Sequence, residues 1–113
     1  VNREQRVAVL KLKANKRLTD FEKRVLLSTV DIPSGETRSY KWIAVAVGNP
    51  GAARAVGRAL GKNPYAPVVP CHRVVRSDGT LGGYSPGVEM KMRLLGKEGV
   101  RIKKDDNGIS RIG

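Results

Sequence analysis

The tetrapeptide Gly48-Asn49-Pro50-Gly51 constrains this chain more than any other feature, because neither a helix nor a strand continues through such a break. Before it, Tyr40 to Val47 reads as a short helix, and after it a second helix is predicted from about Ala52 to Leu60. Two short helices joined by so tight a turn pack across one another, which predicts a helix-turn-helix over residues 40–60. In the second helix Ala52, Ala53, Ala55, Val56, Ala59 and Leu60 supply small and apolar positions, while Arg54 and Arg58 share one face.

The flanking segments predict one domain, 19–113, behind a basic N-terminal segment, 1–18. Thr19 followed by Glu22 is a capping-box signature, and Phe21, Val25, Leu26 and Val30 recur at helical spacing, so a helix is predicted from about Asp20 to Val30. Residues 1–18 carry many Lys and Arg with Val7, Val9, Leu10 and Leu12 between them, and a strand, a short helix and an arm all fit. The proline-rich run from Asn63 to Pro70 reads as an ordered loop delivering Cys71-His72-Arg73. Val74-Val75 reads as a short strand, residues 81–87 as a Gly-rich wing or lid, and Val88 to Gly96 as a helix. Val100 to Lys103 with Ile109 to Ile112 predicts a terminal hairpin about Asp106-Asn107-Gly108. The fold class expected is mainly α with short strands, winged helix-turn-helix-like, with a C-terminal hairpin around a single core.

Charge narrows the partners. Lys and Arg number 22 against 10 Asp and Glu, a net +12 that favours a polyanion such as nucleic acid over a merely solubilising or thermophile-type coat. No run of apolar residues is long enough for a membrane span and no secretory signal precedes the domain, so no membrane partner is expected. The expected location is intracellular: cytoplasmic, or nuclear in a eukaryote. With one Cys and one His the chain can form neither an internal disulfide nor a four-ligand zinc site, and no metal is expected. What remains is a lone thiol, buried or reactive. A reactive one needs a nearby base, cation or helix N-terminus to favour its thiolate, and His72 and Arg73 follow Cys71 directly.

The six residues Pro70-Cys71-His72-Arg73-Val74-Val75 resemble the active-site motif of the O6-alkylguanine-DNA alkyltransferases. The resemblance extends from roughly Phe21 through Glu98. It includes Ser39-Tyr40, Gly48-Asn49-Pro50 and Ala52-Ala53-Arg54-Ala55-Val56-Gly57 upstream, and Gly83-Tyr84-Ser85 and Leu94-Leu95 to Gly99 downstream. It implies repair of double-stranded DNA containing O6-alkylguanine, by a monomer that uses no cofactor and no external acceptor. The alkyl group passes irreversibly to Cys71, once per molecule.

The same resemblance implies a role for each matched residue. His72 relays the thiol proton through water, Glu98 orients and charges that imidazole, and Asn63 holds the active-site turn. Tyr40 hydrogen-bonds the extruded base and steadies charge on the departing guanine. Ser85, with Tyr84 beside it, closes over the base, Val74 offers its carbonyl to the guanine amino group, and Gly82 and Pro67 shape the pocket. Arg54 fills the space left by the flipped nucleotide, while Ala52, Ala53, Ala55 and Gly57 let the recognition helix approach the minor groove. Arg58 departs from the small residue expected after Gly57, and fits either a phosphate contact or solvent. Full-length relatives carry a preceding α/β domain, most of which this chain is expected to lack.

Three rivals remain in view. A non-enzymatic alkyltransferase-like lesion binder shares the scaffold but lacks the cysteine, against which Cys71 argues. An architectural winged-helix protein gives no reason for Tyr40, Asn63, Cys71, His72, Ser85 and Glu98 together. A cysteine hydrolase would require adjacent Cys71 and His72 to face one another.

Overall fold

The computed structural model describes residues 1–113. Its ten elements are α1 (Arg3–Ala14), α2 (Asp20–Val30), β1 (Arg38–Ser39), α3 (Tyr40–Ala46), α4 (Ala53–Gly61), a 3-10 turn (Cys71–Arg73), β2 (Val74–Val75), α5 (Val88–Lys97), β3 (Ile102–Lys104) and β4 (Ser110–Ile112). The mainly helical expectation with short strands holds.

The basic N-terminal segment resolves into a helix. Asn2 caps α1, its side chain accepting from the Gln5 backbone N–H while the Gln5 side chain accepts from Asn2, a capping box built from amide side chains. Ala8 and Leu12, four residues apart, face the core, whereas Val7 and Leu10 are exposed. Helix α2 starts at the predicted capping box: Thr19 Oγ1 accepts from the Glu22 N–H and Glu22 Oε1 from the Thr19 N–H. Glu22 then pairs with Lys62 at 2.7 Å, tying the start of α2 to the end of α4.

The tetrapeptide turn performs its predicted task through backbone geometry. Gly48, at φ +82°, lets its N–H reach the Val45 carbonyl while the Asn49 N–H reaches Ala44, so two of the carbonyls left open at the end of α3 are satisfied. Helices α3 and α4 then close on α2 through Val25, Leu26, Ile43, Ala44, Val56 and Ala59, all at most 1% exposed. Full burial of a Val, Leu or Ile side chain stabilises by roughly 1.5–3 kcal/mol, and of an Ala by less.

Two features lay outside the sequence reading. Strand β1 pairs in parallel with β2, Arg38 opposite Val74 and Ser39 opposite Val75, so the start of the helix-turn-helix is stitched to the residues after the cysteine. The second is the 3-10 turn over Cys71–Arg73. The terminal hairpin forms as predicted but begins later on each side, pairing Ile102 with Ile112 across a turn in which Asp105 Oδ1 accepts from the N–H groups of Asn107 and Ile109. A bridge between Thr80 and Arg111 and a small apolar cluster of Val75, Leu81 and Leu95 fasten that hairpin to α5 and β2.

Candidate active site

Cys71 lies at the floor of a cavity of about 600 Å³ between α3, α4 and the 81–87 loop. The cavity is lined by Tyr40 of α3, by Ala53, Arg54, Gly57 and Arg58 of α4, and by Gly82, Gly83, Tyr84 and Ser85 of the loop, with Arg76 at its edge. The proline-rich segment makes this possible by turning sharply. Asn63 Nδ2 donates to the Val69 carbonyl at 2.8 Å and Asn63 Oδ1 accepts from the Tyr65 N–H at 2.9 Å, while the Cys71 N–H shares the Val69 carbonyl. Asn63 thus fixes the backbone from which the thiol projects.

Behind the thiol runs a chain of polar contacts. His72 is 1% exposed, and its Nε2 lies 3.0 Å from Glu98 Oε2, while its Nδ1 is buried without a hydrogen-bond partner. Arg73 grips the same carboxylate with both arms, Nε to Oε1 at 2.9 Å and Nη2 to Oε2 at 2.7 Å, and its Nη1 donates to the Ile32 carbonyl. Burial pushes the Glu98 carboxyl up, but Arg73 and His72 together outweigh it and hold it below its ordinary value. Burial in turn lowers the His72 pKa, against the pull of Glu98. An ionised Glu98 and a neutral His72 fix the tautomer: Nε2–H donates to the carboxylate, and Nδ1 keeps a free lone pair able to take a proton.

The thiol itself is not activated by solvent. Burial pushes its pKa up, with the Asn63 side chain and the Lys91 charge opposing the rise. Tyr40 is raised by burial and Tyr84 is pushed up to about 12 by burial and the neighbouring Cys71, so both phenols remain protonated donors at neutral pH. The Tyr40 ring rests against Gly57 on one side and Gly82 on the other. A methyl group at Gly82 would overlap the Tyr40 hydroxyl, and its φ of +71° disfavours any side chain there. Ser85 Oγ donates to the Gly61 carbonyl at 2.9 Å, which ties the loop to the end of α4.

Most of the residues singled out in the sequence converge, but not all. Pro67 is exposed and does not line the cavity, so its pocket-shaping part is not seen. Val74 is fully buried outside the lining, and its carbonyl accepts from Lys91 Nζ at 2.7 Å. Ala52 and Ala55 stand half-buried on α4 or at its cap, away from the cavity, whereas the exposed Arg54 and Arg58 both border it. Two contributions escaped the sequence reading. Arg73 is the principal partner of Glu98, and Lys91 is fully buried beneath the loop. Lys91 did carry a signal: it sits four residues before the buried Leu95, on the apolar face of α5.

Fold and site together define a class: a helix-turn-helix domain whose cavity offers a single buried thiol, backed by a His–Glu–Arg chain and bordered by arginines. Comparison with known proteins agrees. Residues 20–100 match the family described as 6-O-methylguanine DNA methyltransferase, DNA binding domain, and the chain belongs to that family. A methylated-DNA–protein-cysteine methyltransferase of Methanosarcina barkeri is 54% identical over 77 residues, covering 68% of this chain and 49% of the relative. The protein of the same name from Mycobacterium tuberculosis is 53% identical over 89 residues, 79% of this chain and 54% of the relative. The chain therefore spans about half the length of these relatives. Among solved structures, Mycobacterium tuberculosis OGT in complex with DNA superposes with a TM-score of 0.72 at 54% identity, covering 74% of this chain and 51% of that one. S. pombe Atl1 in complex with damaged DNA containing O6-carboxymethylguanine gives 0.77 at 33% identity, covering 86% of this chain and 92% of that one. No helix of this chain is long and apolar enough to cross a membrane.

Proposed function

We propose that this chain repairs double-stranded DNA by moving an alkyl group from the O6 of guanine to Cys71. The observation that carries this reading is the buried Cys71 in the lining of a cavity roomy enough to admit a base, with the exposed Arg54 of the recognition helix in the same lining. The names of the relatives and the DNA in the related structures support it.

The target carbon lies inside a stacked duplex, so the nucleotide must leave the helix first. Helix α4 brings Arg54 to the cavity, where it can occupy the space vacated in the stack, while the small Ala53 and Gly57 leave room for the helix to approach the groove closely. Once the base is seated, the thiol proton moves to His72 Nδ1 through water, and Glu98 stabilises the imidazolium that results. The sulfur attacks the carbon bonded to O6, an S–C bond forms, the C–O6 bond breaks, and the electron pair leaves with guanine. Tyr40, protonated and facing the cavity, donates to the base as it gains that charge. The thioether has no route back to thiol within this site, so each chain reacts once.

The test is a mass measurement. Incubation with duplex DNA containing O6-methylguanine is expected to add one methyl group to the peptide bearing Cys71, in an amount limited by protein. Tight binding to that DNA with no gain in mass would overturn the reading in favour of a lesion binder.

A second expectation concerns Arg54, which is exposed and makes no hydrogen bond or ion pair within the protein. Arg54→Ala should leave stability unchanged and slow repair of duplex DNA about 10-fold or more, which corresponds to about 1.4 kcal/mol or more of lost support for the flipped state. Reaction with free O6-benzylguanine, which needs no flipping, should change far less. Equal losses on the two substrates, measured as single-turnover rates, would remove Arg54 from the flipping step.

A further inference from the structure

Lys91 is the one charged side chain buried completely in this molecule, and it forms no ion pair with any carboxylate. Its ammonium donates to three carbonyls: Val74 of β2 at 2.7 Å, Leu81, and Gly83 at 3.2 Å. It stands 5.8 Å from the centre of the Tyr40 ring. An ammonium removed from water and given only carbonyl dipoles lacks a counter-charge, an unfavourable arrangement unless an anion answers it. The groups within its electrostatic reach are Cys71 and His72 of the 3-10 turn, Tyr40 of α3 and Arg76 beyond β2. Arg76 repels it, His72 is neutral and Tyr40 is a protonated phenol. Cys71 is the one group among them that the proposed reaction turns into an anion, as its proton passes to His72.

We propose that Lys91 is a positioning residue for the Cys71 thiolate, serving as its buried counter-charge while pinning the 81–83 backbone to β2. The two roles share one atom. The carbonyls that hold Nζ belong to the strand following Cys71 and to the loop carrying Gly82, so the ammonium fixes the loop beside Tyr40 and keeps its charge within electrostatic reach of the thiol. The inference rests on Cys71 being the alkyl acceptor. It adds that deprotonation is favoured from α5 as well as through His72. Burial lowers the Lys91 pKa to about 8, with Cys71 pulling it back up, so Lys91 is still an ammonium at neutral pH. Alkylation replaces the thiolate by a neutral thioether and leaves Lys91 without its counter-charge.

Because the chain has one cysteine, its reactivity can be read without any guanine substrate. The rate of Cys71 carboxamidomethylation by iodoacetamide, followed against pH, should show an apparent thiol pKa about 1 unit higher in Lys91→Met than in the wild type, a roughly tenfold loss of thiolate at a given pH. Lys91→Arg, which keeps the charge, should recover part of the shift, and Lys91→Gln, which keeps a donor without charge, should not. A separate readout uses the unsubstituted protein: the Lys91 side-chain NMR titration should move to lower pH once Cys71 is capped by iodoacetamide. Superimposable pH profiles in the folded variants, or an unmoved Lys91 titration after capping, would overturn the proposal. If none of the variants folds, the capping titration alone decides. Failure of methyl transfer from DNA in the unsubstituted protein, with the thiol shift present, would count against the repair reading and not against Lys91.

Discussion

Cys71→Ser is expected to reduce alkyl transfer to background while leaving the fold and binding to lesion-bearing DNA intact. Oxygen is smaller than sulfur and the site is 6% exposed, so the substitution adds no volume to a packed position. The nucleophile, however, is lost. Burial already raises the thiol, and the same burial opposes ionisation of a hydroxyl whose intrinsic acidity is far weaker, beyond what a neutral His72 and one ammonium can offset. Intact-protein mass after incubation with O6-methylguanine duplex reads the transfer, and a mobility shift reads the binding. A serine variant that still gained a methyl group would move the acceptor elsewhere in the chain.

The second large effect is expected at Glu98, where stability and chemistry meet. Removing the carboxylate in Glu98→Ala leaves the Arg73 guanidinium, 12% exposed, with only the Ile32 carbonyl, and leaves His72 Nε2 unbonded. Breaking a largely buried pair from one side costs about 3 kcal/mol, visible as a lower midpoint in urea. The rate of methyl transfer should fall by about 10²-fold or more, the usual scale for a disabled general base. The pH dependence follows from the same residue. The folded-state pKa of Glu98 lies below its ordinary value, so its contribution is fully present above the unfolded carboxylate range and is lost as pH falls through the lowered folded value. The wild type should therefore lose stability on acidification through that window, and Glu98→Ala should show a shallower loss. A variant with unchanged midpoint and unchanged rate would dismiss the Arg73–Glu98–His72 chain as incidental.

The helix-turn-helix was legible because its signals are local. Thr19 with Glu22, and Gly48 with Asn49, are cap chemistries completed within a few residues, and the structure closes both as read. The N-terminal helix was ambiguous because its core face consists of Ala8 and Leu12, while the more conspicuous Val7 and Leu10 point outward. Strand β1 has two residues, too few for any alternation to register, and exists only because β2 lies beside it. The proposed acceptor and its neighbours were singled out through a motif, whereas the grip of Arg73 on Glu98 and the burial of Lys91 were missed for one shared reason. A charged side chain in a sequence reads as solvent-facing until its partners are known, and theirs lie distant: Glu98 is 25 residues from Arg73, and the Val74 carbonyl is 17 from Lys91.

The two-residue parallel pairing of Arg38–Ser39 with Val74–Val75 has a bearing on the order of folding. Parallel strands cannot be joined by a tight hairpin, so this contact closes only after α3, α4 and the proline-rich loop have been laid down between its halves. Glu98 then arrives from still further along the chain. A chain caught before that closure exposes an ordinary solvated cysteine, without oriented imidazole, ammonium or cavity. Under the proposed reaction, the capacity to accept an alkyl group would thus belong to the finished topology, and a nascent or partly unfolded copy would have no means of spending this thiol on the wrong target by that mechanism.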